Sequence, residues 1–127
     1  MDGDDVMESS NALLEKRRHT RVFMDLPLEY QILDAPYAHG GVVANASEAG
    51  LLILSIKSIP VGAKLNIAVL FPKEFQLSNF EVSAEIIWKE IYWKEDWEGY
   101  KYGLKFIRIL DEDQWKLKDL LIEPPEI

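Results

Sequence analysis

From Val22 onward, apolar and polar residues alternate along much of the chain. Leu28, Tyr30 and Ile32 are interleaved with Glu29 and Gln31. A period of two sends one set to a buried face and the other to water, which predicts a half-buried strand. Asp34 to Gly41 is turn chemistry, and Val42–Ser47 and Leu51–Ile56 read as two strands around a corner at Asn45–Gly50. Ile59-Pro60-Val61-Gly62 turns the chain again. Leu65, Ile67, Val69 and Phe71 then face one way, with Asn66 and Ala68 opposite. Pro72 has no N–H for a ladder and is expected to end that strand, leaving a loop from Lys73 to Asn79. Phe80, Val82, Ala84, Ile86 and Trp88 form the expected inner face of a long strand, with Glu81, Ser83, Glu85 and Lys89 outward. After a connection at Trp93–Gly99, Tyr100, Tyr102, Leu104 and Phe106 alternate with Lys101, Gly103 and Lys105 in a last strand.

The period then changes. Asp111-Glu112-Asp113-Gln114 has the cap-and-return spacing of a helix start, and the helix carries Trp115, Leu117, Leu120, Leu121 and Ile122 before Pro124-Pro125 stops it. Six or so short-spaced strands and one final helix predict a mainly β fold, a small antiparallel barrel or sandwich. The apolar side of the helix should plug an open end or cover a sheet edge. At the other terminus, residues 1–9 are polar and acidic and are expected to fray. Ser10 or Asn11 caps at most a short helix through Leu13, Leu14 and Glu15, so residues 1–15 read as a flexible or helical arm, 16–122 as the domain and 123–127 as a tail.

Composition narrows the class. At 127 residues, 48% hydrophobic and 28% charged, the chain has material for a single core. It has no cysteine, no basic-then-apolar leader and no apolar run near the roughly 20 residues of a membrane span, so it reads as cytoplasmic, with no membrane insertion. Against 22 Asp and Glu there are 14 Lys and Arg, and four of those cations fall within Lys16-Arg17-Arg18-His19-Thr20-Arg21. The rest of the chain carries a charge of −12. Clustered arginine in so acidic a chain points to a local anion site, because the acids already secure solubility.

Arg17 and Arg21, four apart, share a side in either a helix or a strand, whereas Arg18 joins them in only one of the two. Guanidinium forks suit phosphate oxygens and the O6/N7 edge of guanine, and they stack on base faces. Further on, an extended Asn45-Ala46-Ser47 would present an amide and a hydroxyl on one face, and Gly50 would supply the positive φ of a tight turn before Leu51. The two motifs, RxxxR at Arg17 and Arg21 and (D/N)xSxxG at Asn45, Ser47 and Gly50, resemble the signature of the PilZ domain family over residues 16–122.

That resemblance implies a six-stranded antiparallel PilZ-type β-barrel and a receptor for the bacterial second messenger cyclic di-GMP. The arginines, Arg18 included, would grip phosphates and guanines, and the Asn45–Gly50 segment would contact a guanine. Lys16, just before the first motif arginine, falls where the family's stoichiometry is influenced. Trp88 aligns with an aromatic position near a strand end, which implies stacking on a guanine, whereas alternation assigns it inward. Trp93 and Trp97 mark either a partner surface or aromatic packing back on the barrel.

No catalytic constellation is present in the sequence. His19 and His39 are too few for a histidine metal site, Ser47 lacks a GxSxG context, and the carboxylates are dispersed. The expectation is a non-enzymatic receptor without cofactor or metal, whose N-terminal arm folds over the barrel on binding cyclic di-GMP and is read by a downstream partner protein. The alternative is a PilZ-like protein-interaction module that binds no nucleotide. A nucleic acid polymer fits poorly, since tracking a strand needs distributed basic surface.

Overall fold

The computed structural model describes residues 20–125. Six strands, β1 (Val22–Ile32), β2 (Ala38–Ala46), β3 (Gly50–Ser55), β4 (Lys64–Lys73), β5 (Gln76–Lys94) and β6 (Trp97–Arg108), precede one helix, α1 (Asp111–Ile122). All neighbouring strands are antiparallel, and the sheet closes on itself in the order β1-β2-β3-β6-β5-β4. Closure removes the exposed edges that a six-stranded open sheet would carry. The expected N-terminal arm lies outside the described residues.

Alternation builds the core as the sequence predicts. Met24, Leu26, Leu28 and Tyr30 of β1 are buried, and so are Leu65, Ile67, Val69 and Phe71 of β4 and Phe80, Val82, Ala84 and Ile86 of β5. Their outward neighbours Asp25, Glu29, Asn66 and Glu81 are exposed. Leu117 and Leu120 of α1 join this cluster. Two core tyrosines need partners for their hydroxyls. Tyr30 Oη and Ser55 Oγ share a 2.8 Å hydrogen bond, and Tyr102 Oη donates to the Lys57 carbonyl at 2.6 Å while accepting from the Ile59 N–H at 2.8 Å. Burial raises both phenolic pKa values above the ordinary tyrosine value.

Four elements depart from expectation. The turn after β1 is shorter than Asp34–Gly41, because His39, Gly40 and Gly41 already pair with Tyr30, Glu29 and Leu28. Gly41 belongs in the sheet for a packing reason, since a Cβ there would lie 2.8 Å from the Leu54 carbonyl oxygen of β3.

Pro72 does not end β4. The strand runs on to Lys73, and a two-residue loop, Glu74-Phe75, leads directly into β5. Lys73 and Gln76 close that loop as a hydrogen-bonded pair, so the next pair, Pro72 and Leu77, is a non-hydrogen-bonded one. The proline nitrogen therefore points away from β5, and β1 pairs with β4 only as far as Val69, so no ladder bond is lost. A second two-residue loop, Glu95-Asp96, replaces the longer connection expected at Trp93–Gly99.

Asp111 does not cap α1. Leu110 occupies the N-cap position with no side-chain cap bond. Asp111, Glu112 and Asp113 fill the first turn, where their charge complements the helix dipole. Asp113 Oδ1 accepts the Glu81 N–H at 3.0 Å, and Lys116 Nζ donates to the Asn79 carbonyl at 3.0 Å, so the acidic start serves to tie the helix to β5.

Candidate functional site: the outer face around Asn45

Arg21 stands one residue before β1, and Asn45 lies near the end of β2, next to it in the β1–β2 ladder through Phe23↔Asn45 and Val22↔Ala46. The Arg21 Nε donates to Asn45 Oδ1 at 2.6 Å, joining the last arginine of the first motif to the first residue of the second. Ala46 is in the core, so Asn45 and Ser47 occupy the opposite, outer side of the strand. Two irregularities meet here. The β1–β2 register shifts between Phe23 and Leu26, and the β2–β3 register shifts between Val43 and Asn45. Bulges of this kind re-aim side chains, and they account for an asparagine turned outward two residues after the inward Val43.

The corner that follows is closed by its own bonds. Ser47 N–H donates to the Gly50 carbonyl at 3.0 Å, Ala49 N–H donates to Ser47 Oγ at 3.1 Å, and Phe106 N–H donates to the Ala49 carbonyl at 2.9 Å. Asn45 is 8% exposed and Ser47 only 1%. Both side chains are buried on the outer side of the sheet: the Asn45 amide oxygen accepts from Arg21, and the Ser47 hydroxyl is occupied by the turn. Gly50 is required for a different reason from the one expected. It is the first residue of β3, and among the described glycines positive φ occurs only at Gly62. A Cβ on Gly50 would instead collide with the Leu104 carbonyl oxygen of β6.

Trp88 does not point inward. Ile86 pairs with Leu104 and Trp88 with Gly103, so Ile87 is an extra residue in β5 and the alternation reverses after it. The Trp88 indole, 40% exposed, lies against Gly103 in the space where a Cβ would project. Asn45, Leu52, Gly103 and Trp88 are successive partners across β2, β3, β6 and β5. With strands about 4.8 Å apart, an indole leaning over β6 sits roughly 10 Å from the β2 row that holds Asn45. An amide, a guanidinium and an aromatic face therefore share one outer surface. Such a surface can hydrogen-bond a base edge and stack on a base plane.

Lys16, Arg17 and Arg18 lie outside the described residues. Trp97 packs back, its ring near Gly99 and 5.9 Å from the ring of Tyr92. Trp93 stays exposed and donates its Nε1–H to Glu98 at 2.9 Å. Phe23, directly opposite Asn45, is a residue that the motif reading passed over. Its signal is its place two residues after Arg21 on an extended segment. Two concavities, each about 500 Å3, lie elsewhere: one is lined by Glu29, Asn66, Glu81 and Arg108, and the other lies between α1 and the β4–β5 hairpin. No helix among the described residues is long and apolar enough to cross a membrane.

Comparisons with known proteins agree on the fold. The inhibitor of motility MotI/DgrA of Bacillus subtilis aligns over 84% of this chain and 49% of its own, at 21% identity and a TM-score of 0.68. The chain thus spans about half the length of that protein. The PilZ domain of Escherichia coli YcgR, solved with c-di-GMP, aligns over 84% of this chain and 89% of its own, at 14% identity and a TM-score of 0.66. The PilZ domain of a CeSA protein from a cellulose-synthesising bacterium aligns over 81% and 95%, at 14% identity and a TM-score of 0.56. No curated protein matches the chain closely enough to count as a relative. The family model for the PilZ domain matches residues 15–123, a span that takes in both motifs and every strand of the closed sheet, and on that match the chain belongs to the PilZ domain family.

Proposed function

We propose that this protein is a non-enzymatic receptor for cyclic di-GMP. Its binding surface is the outer face built by Arg21, Asn45, the Ser47–Gly50 corner and Trp88, with Arg17, Arg18 and Lys16 contributed by the segment before β1. The observation that carries this reading is the 2.6 Å bond from Arg21 to Asn45, which brings the two motifs into contact across a β ladder. The presence of c-di-GMP with the PilZ domain of YcgR supports the choice of ligand. Two phosphates and two purine faces match guanidinium forks and an exposed indole. Ser47 serves the site chiefly by holding the corner, since its hydroxyl already accepts from Ala49.

In this reading the signal passes to a separate partner protein. Ligand bridging the arginine segment to the barrel orders that segment, and the ordered segment with the adjoining barrel face is what the partner reads. A receptor for an intracellular messenger acts in the cytoplasm. Isothermal titration with cyclic di-GMP tests the reading: the wild type binds with micromolar or tighter affinity. Arg17→Ala and Arg21→Ala each weaken binding by a factor of about 10 to 100, the loss of one or more charge-assisted hydrogen bonds, and leave the unfolding midpoint unchanged. Unchanged affinity in both variants would remove the mechanism. A wild type that binds no nucleotide yet captures a partner would favour the interaction-module alternative.

A further inference from the structure

The outward side of β1 carries Asp25, Pro27, Glu29 and Gln31, and near its start, two residues after Arg21, stands Phe23 with 83% of its surface exposed. The inward Met24 fixes the direction of this ring, because neighbours on an extended strand point to opposite faces. Phe23 is opposite Asn45 in register, and directly opposed residues stand about 5 Å apart. It is two residues from Arg21 along an extended chain, roughly 7 Å. The ring therefore borders the Arg21–Asn45 hydrogen bond, on the side of Asn45 away from Trp88.

Resting on the receptor reading above, we propose that Phe23 is a second aromatic wall of the nucleotide site, against which a purine face of the bound cyclic dinucleotide packs. Arg21 and Asn45 supply polar contacts that orient a base, but neither covers its plane. An exposed phenyl beside them does, and it removes its own apolar surface from water in doing so. The irregular β1–β2 register after Phe23 separates this position from the regular ladder further along β1, so its ring is set by the motif end of the strand. Phe23 and Trp88 thus flank Asn45 from opposite sides of one transverse row, each offering an aromatic face.

The test is titration of the full chain with cyclic di-GMP, set beside thermal unfolding without ligand. Phe23→Ala is expected to weaken binding about tenfold or more, the loss of one base–aromatic contact. Phe23→Tyr should hold affinity near the wild type, and Phe23→Leu should fall between, since it keeps apolar area and loses the π face. Midpoints of unfolding should agree among all four proteins, because so exposed a ring contributes little packing. Unchanged affinity in Phe23→Ala, with the wild type binding normally, overturns the role of Phe23 and leaves the receptor reading intact. A lowered midpoint with unchanged affinity overturns it too and assigns the ring to structure. Failure of the wild type to bind overturns both.

Discussion

The two sides of this barrel obey different rules. The ladders joining β1, β4 and β5 run without a break: five pairs between β1 and β4 and ten between β4 and β5, with no register shift. Of the ladders on the other side, β3–β6 is regular, but β1–β2, β2–β3 and β5–β6 are each interrupted, at Phe23/Leu26, Val43/Asn45, Ser83/Ala84 and Ile86/Trp88. The unbroken side packs hydrocarbon, and the interrupted side turns Asn45 and Trp88 outward. A strict period of two is the cheapest way to separate a core from water, but it leaves no freedom to place a particular side chain on the surface. One extra residue supplies that freedom at the expense of a ladder bond.

The comparison breaks most severely where the unbroken side is hollowed. Ile67→Ala, with Ile67 buried between the β1 and β5 neighbours of β4, should lower unfolding free energy by about 2–5 kcal/mol in a urea titration while leaving ligand affinity of the folded protein unchanged. On the interrupted side, Gly50→Ala forces a methyl toward the Leu104 carbonyl oxygen. It should cost about 1–3 kcal/mol by overpacking and, unlike Ile67→Ala, also weaken ligand binding, because the strand separation it requires shifts the Ser47–Gly50 corner.

Tyr102→Phe falls on β6, between β3 and β5. It strips the partner from the buried Ile59 N–H and should cost about 1–3 kcal/mol at neutral pH. Its pH dependence is diagnostic. The folded state holds the Tyr30 and Tyr102 protons more tightly than the unfolded chain, so the stability they contribute is complete below about pH 10. It declines as pH rises from there toward the raised folded values. Thermal melts of Tyr102→Phe should therefore lose less between pH 9 and 11 than those of the wild type. The smallest effect is a gain: Glu74 and Glu95 open their loops at φ 57° and 53°, where an L side chain is strained and glycine is not. Glu74→Gly should raise stability by at most about 1 kcal/mol, provided the strain relieved exceeds the added freedom of the unfolded chain.

What was readable in the sequence follows the same division. Leu65, Ile67, Val69 and Phe71 alternate in sequence and are buried in the structure, because an unbroken ladder preserves their period. The same alternation assigns Trp88 inward, yet it is outward, because Ile87 adds one residue that no pattern of types reveals. The missing donor of Pro72 predicts a strand end, yet the pairing places that nitrogen where no donor is needed. The helix was legible from its period. Its start was not, since Asp113 bonds to Glu81, a partner 32 positions away.

By itself the sequence determined the number and kind of elements, the core and the two motifs, since each of these is a local property of residue type and spacing. Only the tertiary structure decided that Arg21 meets Asn45, that Gly50 is required by the approach of β6, and that Phe23 and Trp88 lie on either side of the same amide. Those facts depend on register between strands far apart in the chain. Register is set by where the whole barrel closes and where its bulges fall, so no window of the sequence contains it.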